Sequence, residues 1–151
     1  MSAMSAYEDE DLLPAPREVI WRLLRDHLDD AKIVDLHPLV RSQKTVRRVG
    51  DEVIVDRVVD VRRKPTKSRW KFTYHPPERA RWEVVEGEGP WGAGSFLDLA
   101  YEEEAGGTRV RARGSLSFPS RPFYVSEERA IRTAFDDLRT EDVWFLRRYR
   151  Y

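Results

Sequence analysis

Two charged side chains of this sequence fall where the surrounding pattern predicts apolar ones, and both could do chemistry. Arg57 shares the alternation of the valines in 52–63, which places it on their side of a strand. Asp142 falls near the middle of the apolar stripe of a terminal helix. A buried unpaired charge is costly, so such residues are normally paired or face water or a ligand. Three alternatives stay open: a bulge turns Arg57 outward, the two residues form a buried ion pair, or they are polar anchors in an apolar cavity.

The same inward groups could handle a carbonyl substrate. A cyclase or dehydratase needs a proton donor and a proton acceptor within hydrogen-bond reach of that substrate. By strand parity, Tyr74 and Glu86 are further inward polar candidates. Arg57 could then hold an enolate or a carboxylate, with Asp142 as base and Tyr74 as acid. This assignment depends on parity and on no motif, so no residue is predicted to be catalytic.

The histidines and the glycine-rich stretch indicate structure rather than chemistry. His27, His37 and His75 form no H-x-x-H or H-E-x-x-H motif, which argues against zinc, and no cofactor is predicted. His27 lies on the apolar stripe of the first helix and is expected to be structural, with a general base as the alternative. The stretch 87–94, GEGPWGAG, lacks the Lys-Ser/Thr ending of a phosphate loop. We expect a mobile loop or bulge at a cavity mouth, with Trp91 as a lid or rim aromatic.

The elements that must position these residues are two N-terminal helices, a run of strands and a terminal helix. Apolar spacing predicts a helix over 15–28 and a second short helix over 29–36. A long amphipathic helix is predicted over 126–149, with Ser126 as its N-cap. Six strands joined by tight turns are predicted at 43–49, 52–63, 68–75, 79–86, 95–103 and 108–118, with 7–13 as a seventh. We therefore expect an α+β fold in one domain over 7–150, with residues 1–6 disordered.

Alternation assigns the two faces of the predicted sheet. One face is aromatic-rich, and it carries Trp70, Phe72, Tyr74, Trp82, Leu97 and Leu99. The apolar stripe of the terminal helix, which includes Phe135 and Leu138, must lie on something apolar. On the other face, Arg109, Arg111 and Arg113 share one side of the last strand. Acidic residues of neighbouring strands are available to them as partners, so this face is expected to be solvated.

The composition fits a single soluble domain. The chain has 151 residues, of which 27 are basic and 27 acidic, so its formal net charge is zero. A general nucleic-acid binder should be net positive, which argues weakly against that class of partner. The absence of cysteine excludes thiol chemistry and favours a reducing cytosol, so a cytoplasmic location is expected. No apolar run approaches the roughly 20 residues of a membrane span. The sequence gives no oligomeric state.

Three stretches resemble the START-like (SRPBCC) superfamily, the helix-grip fold of polyketide cyclase/dehydrase-like proteins and lipid-transfer domains. Residues 13–24, LPAPREVIWRLL, are similar to the family's strand-to-helix signature. Residues 106–110, GGTRV, resemble the hairpin before the last strand, and His37-Pro38 resembles the entry to the second strand. The resemblance implies a curved antiparallel sheet wrapped around the C-terminal helix, with a deep cavity between them for a hydrophobic or amphipathic ligand. It carries over no catalytic residue, because the superfamily has no universal ones.

Three function hypotheses follow. The first is a binding or transport module for a small hydrophobic or amphipathic ligand, with Arg57 and Asp142 orienting its polar end. The apolar contacts would come from Trp70, Phe72, Tyr74, Trp82, Leu97, Leu99, Phe135 and Leu138. The second is a cyclase or dehydratase that uses the same cavity. The third is a chaperone-assisting interaction module that uses the arginine-rich face. A fold alone does not decide among them.

Overall fold

A computed structural model describes residues 5–37, 39–61, 63–88, 91–119, 123–133 and 136 of the chain. Two helices, α1 (Arg17–His27) and α2 (Asp30–Leu36), separate the first strand from the others. The strands are β1 (Ser5–Leu13), β2 (Val40–Val49), β3 (Glu52–Val61), β4 (Lys64–His75), β5 (Arg79–Gly87), β6 (Phe96–Glu104) and β7 (Gly107–Leu116). A C-terminal helix follows and is described over 127–133.

The seven strands form one antiparallel sheet in the order β1-β7-β6-β5-β4-β3-β2. From β2 to β7, each strand lies beside the next one in the sequence, as tight turns require. Strand β1 pairs with β7 at the edge of the sheet. The predicted α+β class with one seven-stranded antiparallel sheet is thereby confirmed, and the predicted helix over 126–149 is described only at 127–133 and 136. The strand β1 starts at Ser5 rather than at Tyr7, because Ser5 already pairs with Leu116.

The helices begin where their capping residues predict. The side chain of Asp29 accepts hydrogen bonds from the backbone N–H groups of Ala31 and Lys32, which starts α2. The Arg129 N–H donates to Ser126 Oγ over 3.3 Å, which confirms Ser126 as the N-cap of the C-terminal helix. Ile131 of this helix is buried in a core cluster with Val84 of β5. The described first turns of the C-terminal helix therefore pack on the inner face of the sheet.

Two stretches of the superfamily-like signature form one contact. The carbonyl of Ala15, at the turn between β1 and α1, accepts a hydrogen bond from Thr108 Oγ1 over 2.7 Å. Gly107 has a φ of 151°, and a Cβ there would lie 2.0 Å from the carbonyl oxygen of Leu13. Only glycine leaves room for this approach of two backbones. The contact fixes the start of α1 against the hairpin that leads into β7.

The hairpin between β3 and β4 is tighter than predicted. Residues 64–66 belong to β4 and not to the turn, with Pro65 opposite Asp60. Arg63 adopts a φ of 65° at this turn. The sequence does not predict this positive φ, because arginine is rarely found in the left-handed region and no Gly or Asn marks the position.

Candidate functional site

Arg57 lies on the inner face of the sheet, as the valine alternation predicts. In the sheet it lies opposite Gln43 of β2 on one side and Ser68 of β4 on the other, and the β3–β4 register contains no bulge. Val55, two residues earlier on the same face, is completely buried. The guanidinium therefore projects from a packed valine row toward the end of α1, where His27 is the last residue.

Three uncharged groups hold this guanidinium, and together we call them the arginine cage. Gln43 Oε1 accepts hydrogen bonds from Arg57 Nε at 2.9 Å and from Nη2 at 2.6 Å. The backbone carbonyl of His27 accepts a long bond of 3.5 Å from Nη2. The Phe72 ring lies beside the cation, with 5.5 Å between Arg57 Cζ and the ring centroid. Within the described residues, Arg57 makes no ion pair with a carboxylate.

Asp30 fixes the orientation of Gln43. The Gln43 amide Nε2 donates to Asp30 Oδ1 at 3.1 Å and to the His27 carbonyl at 3.2 Å. Asp30 also accepts from the Thr45 N–H at 2.8 Å and from the Thr45 hydroxyl at 2.9 Å. Burial raises the pKa of the Asp30 carboxyl, but the hydrogen bonds from Thr45 and Gln43 outweigh this and hold it below its usual range. The amide is thus locked with its oxygen toward Arg57.

The electrostatics of Arg57 reflect this uncharged environment. Desolvation lowers the pKa of its guanidinium to about 10, while the negative charges of Tyr74 and Asp30, when ionised, act in the opposite direction. The side chain nevertheless keeps some accessible surface. Together with Gln43, Arg57 lines an open depression of about 600 Å³.

His27 has a defined tautomer. Its Nδ1 lies 2.7 Å from the carbonyl oxygen of Leu23, one helical turn earlier. Because a carbonyl only accepts, Nδ1 carries the hydrogen. Burial lowers the pKa of the imidazole to about 4, with the nearby Arg57 charge adding to the effect, so the ring is neutral at pH 7. Among the described residues no group of three or more His, Asp and Glu side chains could hold a metal ion.

A continuous row of aromatic rings crosses the inner face next to the arginine cage. Trp70 packs edge-on against Trp82 at 5.1 Å and lies parallel to Phe72 at 6.2 Å. Phe72 in turn contacts Tyr74, whose ring packs against Trp21 of α1. The rings at 70, 72, 74 and 82 are only partly buried although they face inward. Burial raises the pKa of the Tyr74 hydroxyl above its usual range, so it stays protonated.

The predicted ligand contacts divide into three groups. Arg57, Phe72 and Tyr74 come together at one end of the aromatic row, with Trp70 and Trp82 beside them. Leu99 is partly buried near the middle of the sheet, whereas Leu97 is 2% exposed within the core cluster around Val84 and Trp91. Phe135, Leu138 and Asp142 lie outside the described residues, so the pairing of Arg57 with Asp142 stays a prediction.

The prediction that Glu86 faces inward is wrong. In the β4–β5 pair Trp70 faces Val84 but Arg69 faces Glu86, so Val85 is an extra, bulged residue. The bulge reverses the parity of the strand and places Glu86 on the outer face, 3.9 Å from Arg69.

The expectation that Trp91 is a lid or rim aromatic is also wrong. Trp91 is 8% exposed and packs edge-on against Phe118 at 4.9 Å, inside the core cluster with Leu97 and Leu116. The N–H of the following Gly92 donates to the Ser117 carbonyl. This tryptophan anchors its loop in the core and is not a lid.

The outer face is neutralised along its length. Arg109 pairs with Glu10 and Glu104, and Arg111 pairs with Glu10 and Glu102. Of these partners only Glu102 was expected, because Glu104 follows the predicted strand and Glu10 belongs to β1 on the other side of the arginines. An open depression of about 870 Å³ lies over this charged face, and a second of about 600 Å³ is lined by Arg57 and Gln43 together with outer-face residues such as Arg69 and Glu86. The described helices include none long and apolar enough to cross a membrane.

Solved structures with the same arrangement decide the fold. An aromatase/cyclase from a Streptomyces species superposes with a TM-score of 0.69, at 14% identity over 95% of this chain and 91% of its own. A START superfamily protein from Mycobacterium smegmatis gives 0.69 at 12% identity, over 98% and 99% of the two chains. Ara h 8.0201 gives 0.70 at 14% identity, over 97% of both. This chain has the START-like helix-grip fold. No protein-family model and no curated protein matches the sequence.

Within the START-like fold, sequence reasoning missed the partners of Arg57. A second bulge is the reason: the β2–β3 register shifts by one between Thr45 and Arg47. Counted from the Gly50 turn without that shift, Gln43 faces Val58 and points outward. The signal that could have found it is a polar residue in an alternating strand beside an inward arginine.

Proposed function

We propose that this START-like protein binds a small hydrophobic or amphipathic ligand between the inner face of its sheet and its C-terminal helix. The observation that carries the proposal is the partly exposed aromatic row beside Arg57. Inward aromatic side chains that keep accessible surface offer apolar contact area, and a few polar groups in such a lining orient a ligand.

In this proposal the apolar body of the ligand lies along Trp82, Trp70 and Phe72, with Tyr74 and Leu99 beside them. Arg57 orients the polar end. The helix residues Phe135, Leu138 and Asp142 complete the contacts from the opposite wall, and Leu97 supports the aromatic row from the core. The similarity to solved START and aromatase/cyclase structures supports the cavity as the place of binding, since it extends over nearly the whole chain.

The protonation states near Arg57 favour binding over acid–base catalysis. A general acid or base works best when its pKa lies near the operating pH. The pKa of Tyr74 is raised and that of His27 is lowered to about 4, so neither group changes protonation near neutral pH. Both are suited to fixed hydrogen bonds and packing.

Titration with N-phenyl-1-naphthylamine, an uncharged dye that fluoresces in apolar surroundings, tests the proposal. We expect saturable binding near one dye per chain. The substitution Phe72→Leu on the inner face should weaken it about three- to tenfold, because part of the aromatic contact is lost. Phe96→Leu makes the same change on the outer face, where Phe96 stacks with Arg81, and should leave binding within twofold.

Absence of saturable binding to the wild-type protein would refute the proposal. Equal weakening by the two substitutions would also refute it, because the dye would then not be on the inner face. Far-UV circular dichroism of both variants checks that the fold persists.

A further inference from the structure

We infer that the outer face of the sheet carries a second binding site, which takes a phosphate group between Arg79 and Arg111, above Ala100. This site lies on the opposite side of the sheet from the aromatic row, so it is separate from the proposed cavity. Three features of the outer face point to it: a gap in the ion pairs at Ala100, the hydrogen-bond donors beside that gap, and the depression above it.

The gap interrupts a regular alternation of acidic and basic side chains. The outward residues in the middle of β6 are Asp98, Ala100 and Glu102, because Tyr101 points into the core. Asp98 and Glu102 each pair with an arginine of a neighbouring strand. Ala100 lies directly between Arg79 of β5 and Arg111 of β7. A methyl group therefore occupies the position where the alternation would place a carboxylate.

The arginines beside the gap are less firmly engaged than their neighbours in the sheet. Arg111 lies 3.8 Å from Glu10 and 3.6 Å from Glu102, which is longer than an N–H···O hydrogen bond. Arg109 of the same strand, by contrast, donates to its two carboxylates over 2.6 and 3.0 Å. Within the ranges that the structure describes, Arg79 has neither an ion pair nor a side-chain hydrogen bond. The described strands thus leave guanidinium donors free on both sides of the gap.

The open depression of about 870 Å³ lies directly above the gap. It is lined by Ala100 and both of its arginine neighbours, by Thr73 and His75 on the side of β4, and by Glu8 and Glu10 on the side of β1. Its volume is in the range of roughly 300–1,000 Å³ that small-molecule sites have. Because the β1 side is acidic, the organic part of a phosphate ester would extend toward β4.

The arrangement of donors favours phosphate over carboxylate. Neighbouring strands lie about 4.8 Å apart, so the backbones of Arg79 and Arg111, which are two strands apart, are separated by about 10 Å. Both side chains can extend over the short Ala100 between them. A carboxylate presents its two oxygens to one guanidinium, whereas the three terminal oxygens of a phosphate can accept hydrogen bonds from two guanidiniums on opposite sides. The charge of a phosphate dianion also matches two arginines.

An NMR titration of ¹⁵N-labelled protein with inorganic phosphate, at neutral pH and constant ionic strength, tests the inference. We expect saturable shifts of the Ala100 amide and of the Nε–H groups of Arg79 and Arg111, with one common Kd. Acetate should bind at least about tenfold more weakly, because it cannot accept from both guanidiniums. Glycerol 3-phosphate distinguishes the sources of the phosphate group. Tighter binding than that of inorganic phosphate assigns the site to a phosphate ester, and equal binding assigns it to free phosphate.

Two substitutions and a matched control locate the site. Arg79→Gln should weaken phosphate binding about three- to tenfold, because one charge-assisted contact is lost. Ala100→Glu supplies the missing carboxylate from within the chain and should abolish binding. Ala31→Glu makes the same change at an exposed position of α2 and should keep the affinity within twofold.

Absence of saturable shifts at Ala100 in the wild-type protein would refute the inference, and this result needs no variant. Equal affinity for acetate would refute the choice of phosphate. Equal weakening by Ala100→Glu and Ala31→Glu would also refute the site, because the ion would then respond only to net charge. Phosphate should leave the dye affinity of the inner face unchanged, so failure of this site and failure of the proposed function are distinguishable.

Discussion

Arg57→Met should make the protein more stable while it removes the polar anchor of the proposed ligand. The pKa of the Arg57 guanidinium falls from 12.5 to about 10. At 1.36 kcal/mol per pKa unit, this corresponds to about 3 kcal/mol that the charged form costs the folded state. The substitution removes this cost but leaves Gln43 Oε1 without its donor, which costs about 1 kcal/mol or somewhat more. We expect a net increase of about 1–2 kcal/mol in the free energy of unfolding.

The pH dependence follows from the same pKa. The folded-state pKa of Arg57 is lower than the unfolded one, so the unfolded chain binds the extra proton between pH 10 and 12.5. The destabilisation is complete below pH 10 and disappears as the pH rises through that interval. Urea unfolding at pH 7 therefore measures the full effect. Because the denaturant slope should not change, the gain appears as a higher midpoint concentration.

Arg79→Met is the control, because Arg79 of β5 is exposed and its replacement should shift the free energy of unfolding by less than about 0.5 kcal/mol. A destabilisation of Arg57→Met by more than about 1 kcal/mol would refute the reasoning. It would mean that the charge is compensated in the folded state, and Asp142 is then the first candidate for its partner. Comparison with Asp142→Asn and with the double variant would test that pair directly.

Two further predictions concern His27 and Trp91. The pKa of His27 is lowered to about 4, so the unfolded state binds the proton between pH 6.5 and 4 and stability should fall as the pH drops through this interval. His27→Asn keeps a donor near the Leu23 carbonyl. Between pH 7 and 4, its free energy of unfolding in urea should fall by up to about 3 kcal/mol less than that of the wild type. A pH dependence equal to that of the wild type would contradict the assignment. Trp91→Ala should cost about 3–5 kcal/mol, as for other buried aromatics, with a correspondingly lower Tm by calorimetry. Phe123→Ala, at a 99% exposed site, is the control, and a Trp91 variant as stable as this one would restore the interpretation of Trp91 as a lid.

Much of the fold follows from sequence pattern, because alternation and turn residues are local signals. The strand parity placed Arg57, Trp70 and Phe72 on the inner face, and Ser126 marked the start of the C-terminal helix. The site itself was harder to predict, because it depends on register between strands. Gln43 lies opposite Arg57 only because of the bulge near Val46, and no residue type predicts that bulge. The burial of Trp91 was not predicted for a related reason. A glycine-rich stretch predicts a flexible loop, but it does not indicate which of its side chains is buried in the core.

The bulged Val85 also determines what a slip of strand β5 would do to the interior. It is the extra residue that turns Glu86 away from the inner face. If this part of β5 paired without the bulge, Val85 would lie opposite Arg69 and Glu86 opposite Ser68, the neighbour of Arg57 on β4. A one-residue slip, with no codon altered, would thus bring a carboxylate to the same face of the sheet as the arginine. Deletion of Val85 would not, because Val84 opposite Trp70 and Glu86 opposite Arg69 would then follow each other in a regular ladder.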